Sequence, residues 1–141
     1  MKPIIAALLV LFLFQGCASL NQRPQAILDV PRLLYLPIVQ VEKELGTLHD
    51  PFPYIPTMGI RDYTREPIRL QIDFDTKTGV VSRIYIYATG DKHMTKGQLC
   101  AYAGVDPDSK QYKVDELHEC CSPEIFGVEV RTLKQAGEDG F

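Results

Sequence analysis

The sequence lacks the features that several functional classes require. It has no cluster of lysine and arginine of the kind that neutralises nucleic-acid phosphates, and its 15 basic residues are outnumbered by 18 acidic ones. It contains no GxSxG, P-loop or GxGxxG motif, the short patterns that mark common hydrolases and nucleotide-binding enzymes. We therefore expect no nucleic-acid partner, no cofactor and no catalytic activity.

The sequence also has no hydrophobic run long enough to span a membrane. The longest run, Ile4–Phe14, has eleven residues, whereas a spanning helix needs about 20. It follows Lys2 and precedes Gly16 and Cys17, which is the arrangement of an export signal with a small residue at its cleavage site. We predict that residues 1–16 are a signal peptide.

The residues around Cys17 resemble the lipobox of bacterial lipoproteins. The resemblance implies cleavage before Cys17, followed by attachment of a diacylglyceride and an N-acyl chain, which together form a stable membrane anchor. The residue after the cysteine is Ala18 and not an aspartate. In lipoproteins of Gram-negative bacteria, this implies sorting to the outer membrane. The alternatives are an ordinary secretory peptide that ends near Ala18 and a short N-terminal membrane helix. We favour the lipoprotein, with residues 17–31 as a lipidated tether.

Local signals predict the first elements of the following domain. Pro37 and Gly46 bracket a helix whose apolar residues recur at three- and four-residue spacing. Ile68–Asp75 and Val80–Ala88 alternate between apolar and polar residues around a turn that ends at Gly79, which predicts an antiparallel hairpin with one buried face. The expected buried set in the second strand is Val80, Ile84, Ile86 and Ala88, and its other face carries Val81, Arg83, Tyr85 and Tyr87.

Weaker patterns complete the predicted domain. Thr95 is expected to cap a helix that ends at Gly104, and Gln111–Val114 and Gly127–Leu133 are expected to be strands. The polar residues 135–141 are expected to form a frayed tail. Residues 32–134 therefore form a single predicted domain of the α+β class, with short helices packed on one face of a small antiparallel β-sheet.

Residues 47–67 contain four prolines, so we predict a long, stiffened loop there. Long loops in compact domains often carry function, and aromatic side chains dominate the energetics of many interfaces. We predict that Phe52, Tyr54 and Tyr63 contact a partner. The alternative is that these side chains fold back onto the tyrosine-bearing face of the hairpin.

The run Leu45-Gly46-Thr47 at a helix end, followed by Asp50-Pro51-Phe52 and a hairpin with a glycine turn, resembles the BamE (SmpA/OmlA) lipoproteins. The similarity covers roughly residues 37–88. It implies a small outer-membrane lipoprotein with helices packed on a three-stranded antiparallel sheet, and a role in the assembly of β-barrel proteins.

Cys100, Cys120 and Cys121 remain once Cys17 is assigned to lipid. Exported proteins meet an oxidising environment, so we expect a disulfide from Cys100 to Cys120 or Cys121, with one thiol left over. Closing that loop of about twenty residues would stabilise the fold by about 3 kcal/mol. His118 and Cys121 have the spacing of zinc ligands on a helix, but no second ligand pair accompanies them, so we expect no metal.

These expectations converge on a non-enzymatic lipoprotein of the cell envelope. It would be anchored through Cys17 on the periplasmic side of the outer membrane and would bind another envelope component, an envelope protein in our interpretation. Three alternatives stay open: a BamE-like accessory in outer-membrane protein assembly, a periplasmic metal-binding or enzymatic protein that uses His118 and Cys121, and a secreted inhibitor-like module without lipid.

The predicted anchor can be tested by replacing Cys17 with serine. We expect Cys17→Ser to abolish labelling with radioactive palmitate and to release the chain from the outer-membrane fraction, because no other side chain accepts the diacylglyceride. Metabolic labelling and membrane fractionation measure both effects. A serine variant that keeps its acyl chains and still fractionates with the outer membrane would show that Cys17 is not the lipidation site.

Overall fold

The computed structural model describes residues 24–46, 52–55, 58–90, 92–120 and 123–134. In these ranges the chain forms three short helices: α1 (Val30–Leu33), α2 (Ile38–Leu45) and α3 (Lys96–Tyr102). It also forms six strands: β1 (Phe52–Ile55), β2 (Met58–Arg65), β3 (Ile68–Asp75), β4 (Val81–Ala88), β5 (Tyr112–His118) and β6 (Ile125–Thr132). The predicted signal peptide, Cys17 and the predicted tail 135–141 lie outside the described residues.

The six strands form one antiparallel sheet in the order β1-β2-β3-β4-β6-β5. Its central strands supply the core, because their alternate side chains point to the face on which the helices pack. The sheet residues with no exposed surface are Ile68, Leu70, Ile72, Val81, Ile84, Ile86, Val128 and Val130. The predicted fold class, short helices on one face of a small antiparallel sheet, is confirmed.

Both helices predicted from the sequence are confirmed, as α2 and α3, whereas α1 is an additional helix. In α2 the buried residues are Ile38, Val41 and Leu45, and Gly46 follows with a φ of 95°. Pro37 is the N-cap, one residue before the helix begins. Its backbone is extended and forms a β-bridge with Val80. The start of α3 is fixed by a capping box between Thr95 and Gln98, which satisfies two backbone N–H groups that would otherwise lack partners.

The predicted hairpin is confirmed as β3 and β4, but one expected side-chain orientation is wrong. Val81, expected on the more exposed face, has no exposed surface. Asp73 pairs with Arg83 whereas Phe74 pairs with Val81, so Ser82 is an extra residue at a β-bulge. A bulge shifts the alternation by one residue and turns Val81 into the core.

The interpretation of residues 47–67 as a loop is wrong for much of its length. β2 pairs with β3 over eight consecutive residues, from Met58 to Arg65, and contains no proline. Pro53 lies in β1, an edge strand, where a missing N–H is tolerated. The pattern of β2 is hard to recognise because its helix-facing positions hold Gly59, Arg61, Tyr63 and Arg65, of which only one is a large hydrophobic residue.

The remaining predicted strands exist and are longer than expected. Gln111–Val114 corresponds to β5, which extends to His118, and Gly127–Leu133 corresponds to β6, which begins at Ile125. Packing also begins before residue 32. The backbone N–H of Val30 donates to the carbonyl of Ala103 at 2.9 Å, and Val30 has no exposed surface. The end of the predicted tether is therefore part of the core.

Gly59 lies at a point where the backbone of β2 packs closely against a core side chain. A Cβ atom at Gly59 would overlap the ring of Phe74, its cross-strand partner, inside the core. We expect Gly59→Ala to lower the free energy of unfolding by about 1–3 kcal/mol, the usual cost of overpacking. Denaturant titration of the purified chain measures this change.

Gly97 in α3 provides the matched control. It is exposed, its φ is not positive, and the nearest atom to a built Cβ is Thr95 Oγ1 at 3.9 Å. We expect Gly97→Ala to raise the free energy of unfolding by about 0.5–1 kcal/mol, because alanine loses less backbone entropy in a helix. Equal effects of the two substitutions would contradict the close approach between Gly59 and Phe74.

Candidate binding surface

One face of the sheet carries a concentration of aromatic and charged side chains. We call it the open face, because the described helices pack on the opposite face. Cross-strand pairing places many of its residues in three neighbouring rows. The middle row runs through Asp62, Gln71, Tyr85, Glu129 and Asp115. On one side of it lie Ile60, Asp73, Arg83, Arg131 and Lys113, and on the other lie Thr64, Arg69, Tyr87, Gly127 and Leu117.

Three rings form an aromatic row on the open face. The ring centroids of Tyr85 and Tyr87 are 6.3 Å apart, and those of Tyr87 and Phe126 are 5.9 Å apart, with the planes of each pair within 12° of parallel. Leu117 pairs with Gly127 and His118 with Ile125, so Phe126 is the extra residue of a bulge. Phe126 is 43% exposed, which leaves the row accessible at one end.

The position of Tyr87 depends on Gly127, its partner on β6. A Cβ at Gly127 would lie 2.7 Å from Tyr87 Cδ1 and 2.9 Å from the carbonyl oxygen of Ile86. The tyrosine ring therefore fills the space that any side chain at position 127 would need. This glycine allows the aromatic row to lie close against the sheet.

A network of partly buried charges lies beside the aromatic row. Arg83 Nε is 3.0 Å from Glu129 Oε1, and Arg131 Nη2 is 3.0 Å from Asp115 Oδ2. Arg131 Nε lies 3.9 Å from Glu129, which joins the two ion pairs. The side chains of Arg131 and Glu129 are only 12% and 13% exposed. Ion pairs linked in this way hold their side chains more firmly than isolated surface pairs do.

This network also orients the aromatic row. Arg83 Nη1 donates a hydrogen bond of 3.0 Å to the Tyr85 hydroxyl. Burial raises the pKa of Tyr85 and raises that of Tyr87 to about 12, so both phenols are neutral at physiological pH. A neutral phenol combines an apolar ring with a hydroxyl that can donate a hydrogen bond, a combination common in protein interfaces.

Asp73 is the most deeply buried carboxylate of the open face, at 8% exposure. Burial raises its pKa, while a hydrogen bond from Gln71 and the charge of Arg83 oppose that shift. The carboxylates of Glu129 and Asp62 raise it further. Among the described residues, Oδ1 of Asp73 has no hydrogen-bond partner. A carboxylate in this position lowers the stability of the folded chain when it is ionised.

The partner-contact residues predicted from sequence are not brought together on a described surface. Tyr63 is 4% exposed and packs in the core beneath the helices, so it is not part of a surface site. Burial, followed by the charge of Glu42, raises the pKa of Tyr63 to about 12. The side chains of Phe52 and Tyr54 lie outside the described residues.

The aromatic row was only partly foreseeable. Alternation placed Tyr85 and Tyr87 on the less buried face of the hairpin, but nothing local joined them to Phe126, about forty residues later. That contact depends on two non-local facts, the pairing of β4 with β6 and the bulge that turns Phe126 onto the open face.

The cysteines differ in their surroundings. Cys100 is a buried, free thiol in α3, and burial raises its pKa, which makes it a poor nucleophile. Cys120 is exposed, and no disulfide joins it to Cys100 in the described part of the chain. Cys121 lies outside the described residues. The disulfide from Cys100 to Cys120 or Cys121 stays a prediction.

His118 lies beside an ion pair. The carboxylate of Glu116 is 3.6 Å from Lys96 Nζ, and His118 Nε2 is 3.3 Å from the same carboxylate. Across the ranges described, no group of three or more His, Cys, Asp or Glu side chains could hold a metal ion. Cys121, the other residue of the predicted metal-binding alternative, is not among the described residues.

In the part of the chain that the structure describes, no helix has the length and hydrophobicity needed to cross a membrane.

Comparisons with known proteins give no family. No protein-family model matches the sequence, and no curated protein matches it. Among solved structures, a cysteine-rich secretory protein from Staphylococcus aureus has a similar arrangement, with 9% identity and a TM-score of 0.48. The match covers 81% of this chain and 48% of that protein, so this chain spans about half of its length. The resemblance to the BamE lipoproteins stays a prediction; the sheet here has six strands where that resemblance implies three.

The buried position of Asp73 predicts a specific pH dependence. Its pKa is raised above 3.8 in the folded chain, so the folded state binds a proton more tightly than the unfolded state does. The contribution of Asp73 to stability therefore falls as the pH rises from 3.8 through the raised pKa. The quantity to measure is the free energy of unfolding of the wild type minus that of Asp73→Asn, obtained by denaturant titration. We expect this difference to decrease as the pH is raised from about 3 to about 6.

Asp75, two residues along the same strand, is the matched control with the opposite sign. Its Oδ1 accepts hydrogen bonds from the backbone N–H groups of Lys77 and Thr78, which lower its pKa below 3.8. Its contribution is present above pH 3.8 and is lost as the pH falls through the lowered pKa. The same difference for Asp75→Asn should rise with pH. Matching slopes for the two variants would contradict the assigned environments.

Proposed function

We propose that this chain is a non-enzymatic lipoprotein of the cell envelope that binds another envelope protein through its open face. Lipid on Cys17 anchors it to the periplasmic side of the outer membrane. The aromatic row Tyr85–Tyr87–Phe126 is the observation that carries the binding part of the proposal. The lipobox-like sequence before Cys17 supports the anchor.

The aromatic row has the properties of an interface anchor. Rings concentrate apolar contact area in side chains that lose little conformational entropy on binding. Here that entropy is reduced further, because Gly127 and Arg83 already hold the tyrosines in place. A surface that is ordered before binding loses less free energy when the complex forms. Charged groups of both signs border the row and supply polar contacts around an apolar centre.

The distance between Cys17 and the first described residue limits how far the domain can lie from the membrane. Seven residue steps separate Cys17 from Pro24, which span at most about 25 Å when fully extended. Residues 27 and 28 then donate backbone hydrogen bonds to the carbonyl of Tyr102 at the end of α3. Because α3 packs on the helix-bearing face, the chain enters the domain from that side. An anchor on Cys17 would thus keep the helices near the membrane and leave the open face directed away from it.

Site-specific photo-crosslinking tests this proposal in intact envelopes. The anchored chain would carry benzoylphenylalanine in place of Phe126, at the exposed end of the aromatic row. The control carries it in place of Val39, which is 71% exposed on α2, on the other side of the molecule. We expect a discrete protein adduct from position 126 and none from position 39. Phe126→Ala in an otherwise native chain should reduce recovery of that protein at least tenfold.

Stability measurements separate binding from folding in this experiment. Because Phe126 is 43% exposed, its truncation should cost less than the 3–5 kcal/mol or so typical of a buried phenylalanine. Adducts of the same protein from positions 126 and 39, or unchanged recovery with Phe126→Ala, would exclude the open face as the binding surface.

A further inference from the structure

β5 is the outermost strand at one edge of the sheet, and its described pairing is with β6 alone. It is seven residues long, contains neither proline nor glycine, and pairs regularly with β6 from Tyr112 to Leu117. The opposite edge is different, because β1 has four residues, includes Pro53 and has an irregular register. Short strands, prolines, bulges and charged side chains are devices that block pairing at a sheet edge. The two edges are therefore not equivalent: β5 has the length and regularity to accept another strand, but its charges restrict the partner to a strand of complementary charge.

The sequence of β5 is complementary to itself. Residues directly opposite each other in an antiparallel pair share a face, so two copies related by a two-fold axis must pair residues of the same parity. With the axis at Val114, Lys113 of each copy lies opposite Asp115 of the other, and Tyr112 lies opposite Glu116. Opposite charges directly across a strand pair are stabilising.

The neighbouring registers are unfavourable. An axis at Lys113, Asp115 or Glu116 would place two identical charges directly opposite each other, which destabilises a strand pair. Only the axis at Val114 brings together opposite charges and two valine side chains, each of them half-buried in the single chain. Among the registers that pair at least five residues of β5, those centred on Val114, Asp115 and Glu116, the charge pattern thus selects Val114 alone.

We infer that the partner of this edge is a second copy of the same chain, paired through β5 in the register centred on Val114. The side chains that would form the ion pairs between chains are accessible, with Lys113 47% and Asp115 34% exposed. Within one chain Lys113 Nζ lies 3.4 Å from Asp115 Oδ2, so dimerisation exchanges this ion pair for two equivalent ones between the copies. Asp115 is already held in position by Arg131 at 3.0 Å, so its carboxylate needs little reordering. The backbone hydrogen bonds of the new strand pair supply affinity, and the charges supply the register.

The symmetry of this dimer has a definite consequence for its faces. A two-fold axis perpendicular to the sheet keeps both helix layers on one side and joins the two open faces on the other. The two N-terminal segments then leave from the same side, so both chains could be anchored in one membrane. The dimer does not itself depend on lipidation or on the partner proposed above.

Two complementary charge reversals test the pairing. Full-length chains with two different C-terminal tags would be expressed together, extracted in mild detergent and captured through one tag. Wild-type chains should be recovered together. When both chains carry Lys113→Glu, a glutamate and an aspartate lie opposite each other at two places in the dimer. When both carry Asp115→Lys, two lysines lie opposite each other at both places. We expect either homotypic pair to reduce co-recovery at least tenfold.

The mixed pair supplies the decisive result. A Lys113→Glu chain opposite an Asp115→Lys chain again has two pairs of opposite charges, so co-recovery should return to near the wild-type level. This recovery would also show that both variants are folded. Lys77→Glu, a charge reversal in the exposed hairpin turn, should leave co-recovery unchanged. Absence of co-recovery in the wild type, undiminished co-recovery of either homotypic pair, or failure of the mixed pair would overturn the inference.

Discussion

The architecture depends on a short stretch of backbone pairing between the segment before α2 and the turn of the central hairpin. Tyr35 N–H donates to the carbonyl of Val81 at 3.0 Å, Val81 N–H donates to Leu36 at 2.9 Å, and Ile38 N–H donates to Gly79 at 2.7 Å. These bonds fix where α2 begins and which face of the sheet it covers. The β-bulge beside Val81 belongs to the same arrangement. A helix layer attached in this way covers one face and leaves the other for polar and aromatic residues.

The second attachment between the layers is ionic and explains why β2 lacks the alternating pattern of a half-buried strand. Arg61 lies between sheet and helix, 3.0 Å from Glu42 and 5.0 Å above the ring of Phe74. Arg65 donates a 2.8 Å hydrogen bond to the carbonyl of Leu45, near the end of α2. Arginine can bury its stem while its guanidinium stays paired, so a buried strand need not alternate in hydrophobicity. Sequence patterns that count apolar residues do not detect such a strand.

The predictable parts of this fold are those specified by nearby residues. The hairpin follows from the alternation of Ile68–Asp75 and its glycine turn, and α3 follows from the capping box at Thr95. The inward turn of Val81 and the placement of Phe126 each require one extra residue in a strand, and its position depends on the partner strand. The same limit applies to the candidate site, where two of three aromatic residues could be placed on the correct face from sequence.

The pairing of Tyr87 with Gly127 also constrains how this surface can evolve. The ring and the carbonyl oxygen of Ile86 both occupy the space beside the glycine, so a larger residue at position 127 requires that position 87 has lost its ring and that the backbone has shifted. Gly59 and Phe74 are related in a similar way on the opposite face of the sheet, where the three atoms nearest to an added Cβ all belong to the Phe74 ring. In relatives of this chain, the two members of each pair are therefore expected to change together. The order of change is fixed: position 87 can lose its ring while the glycine remains, but the glycine cannot be replaced while the ring remains.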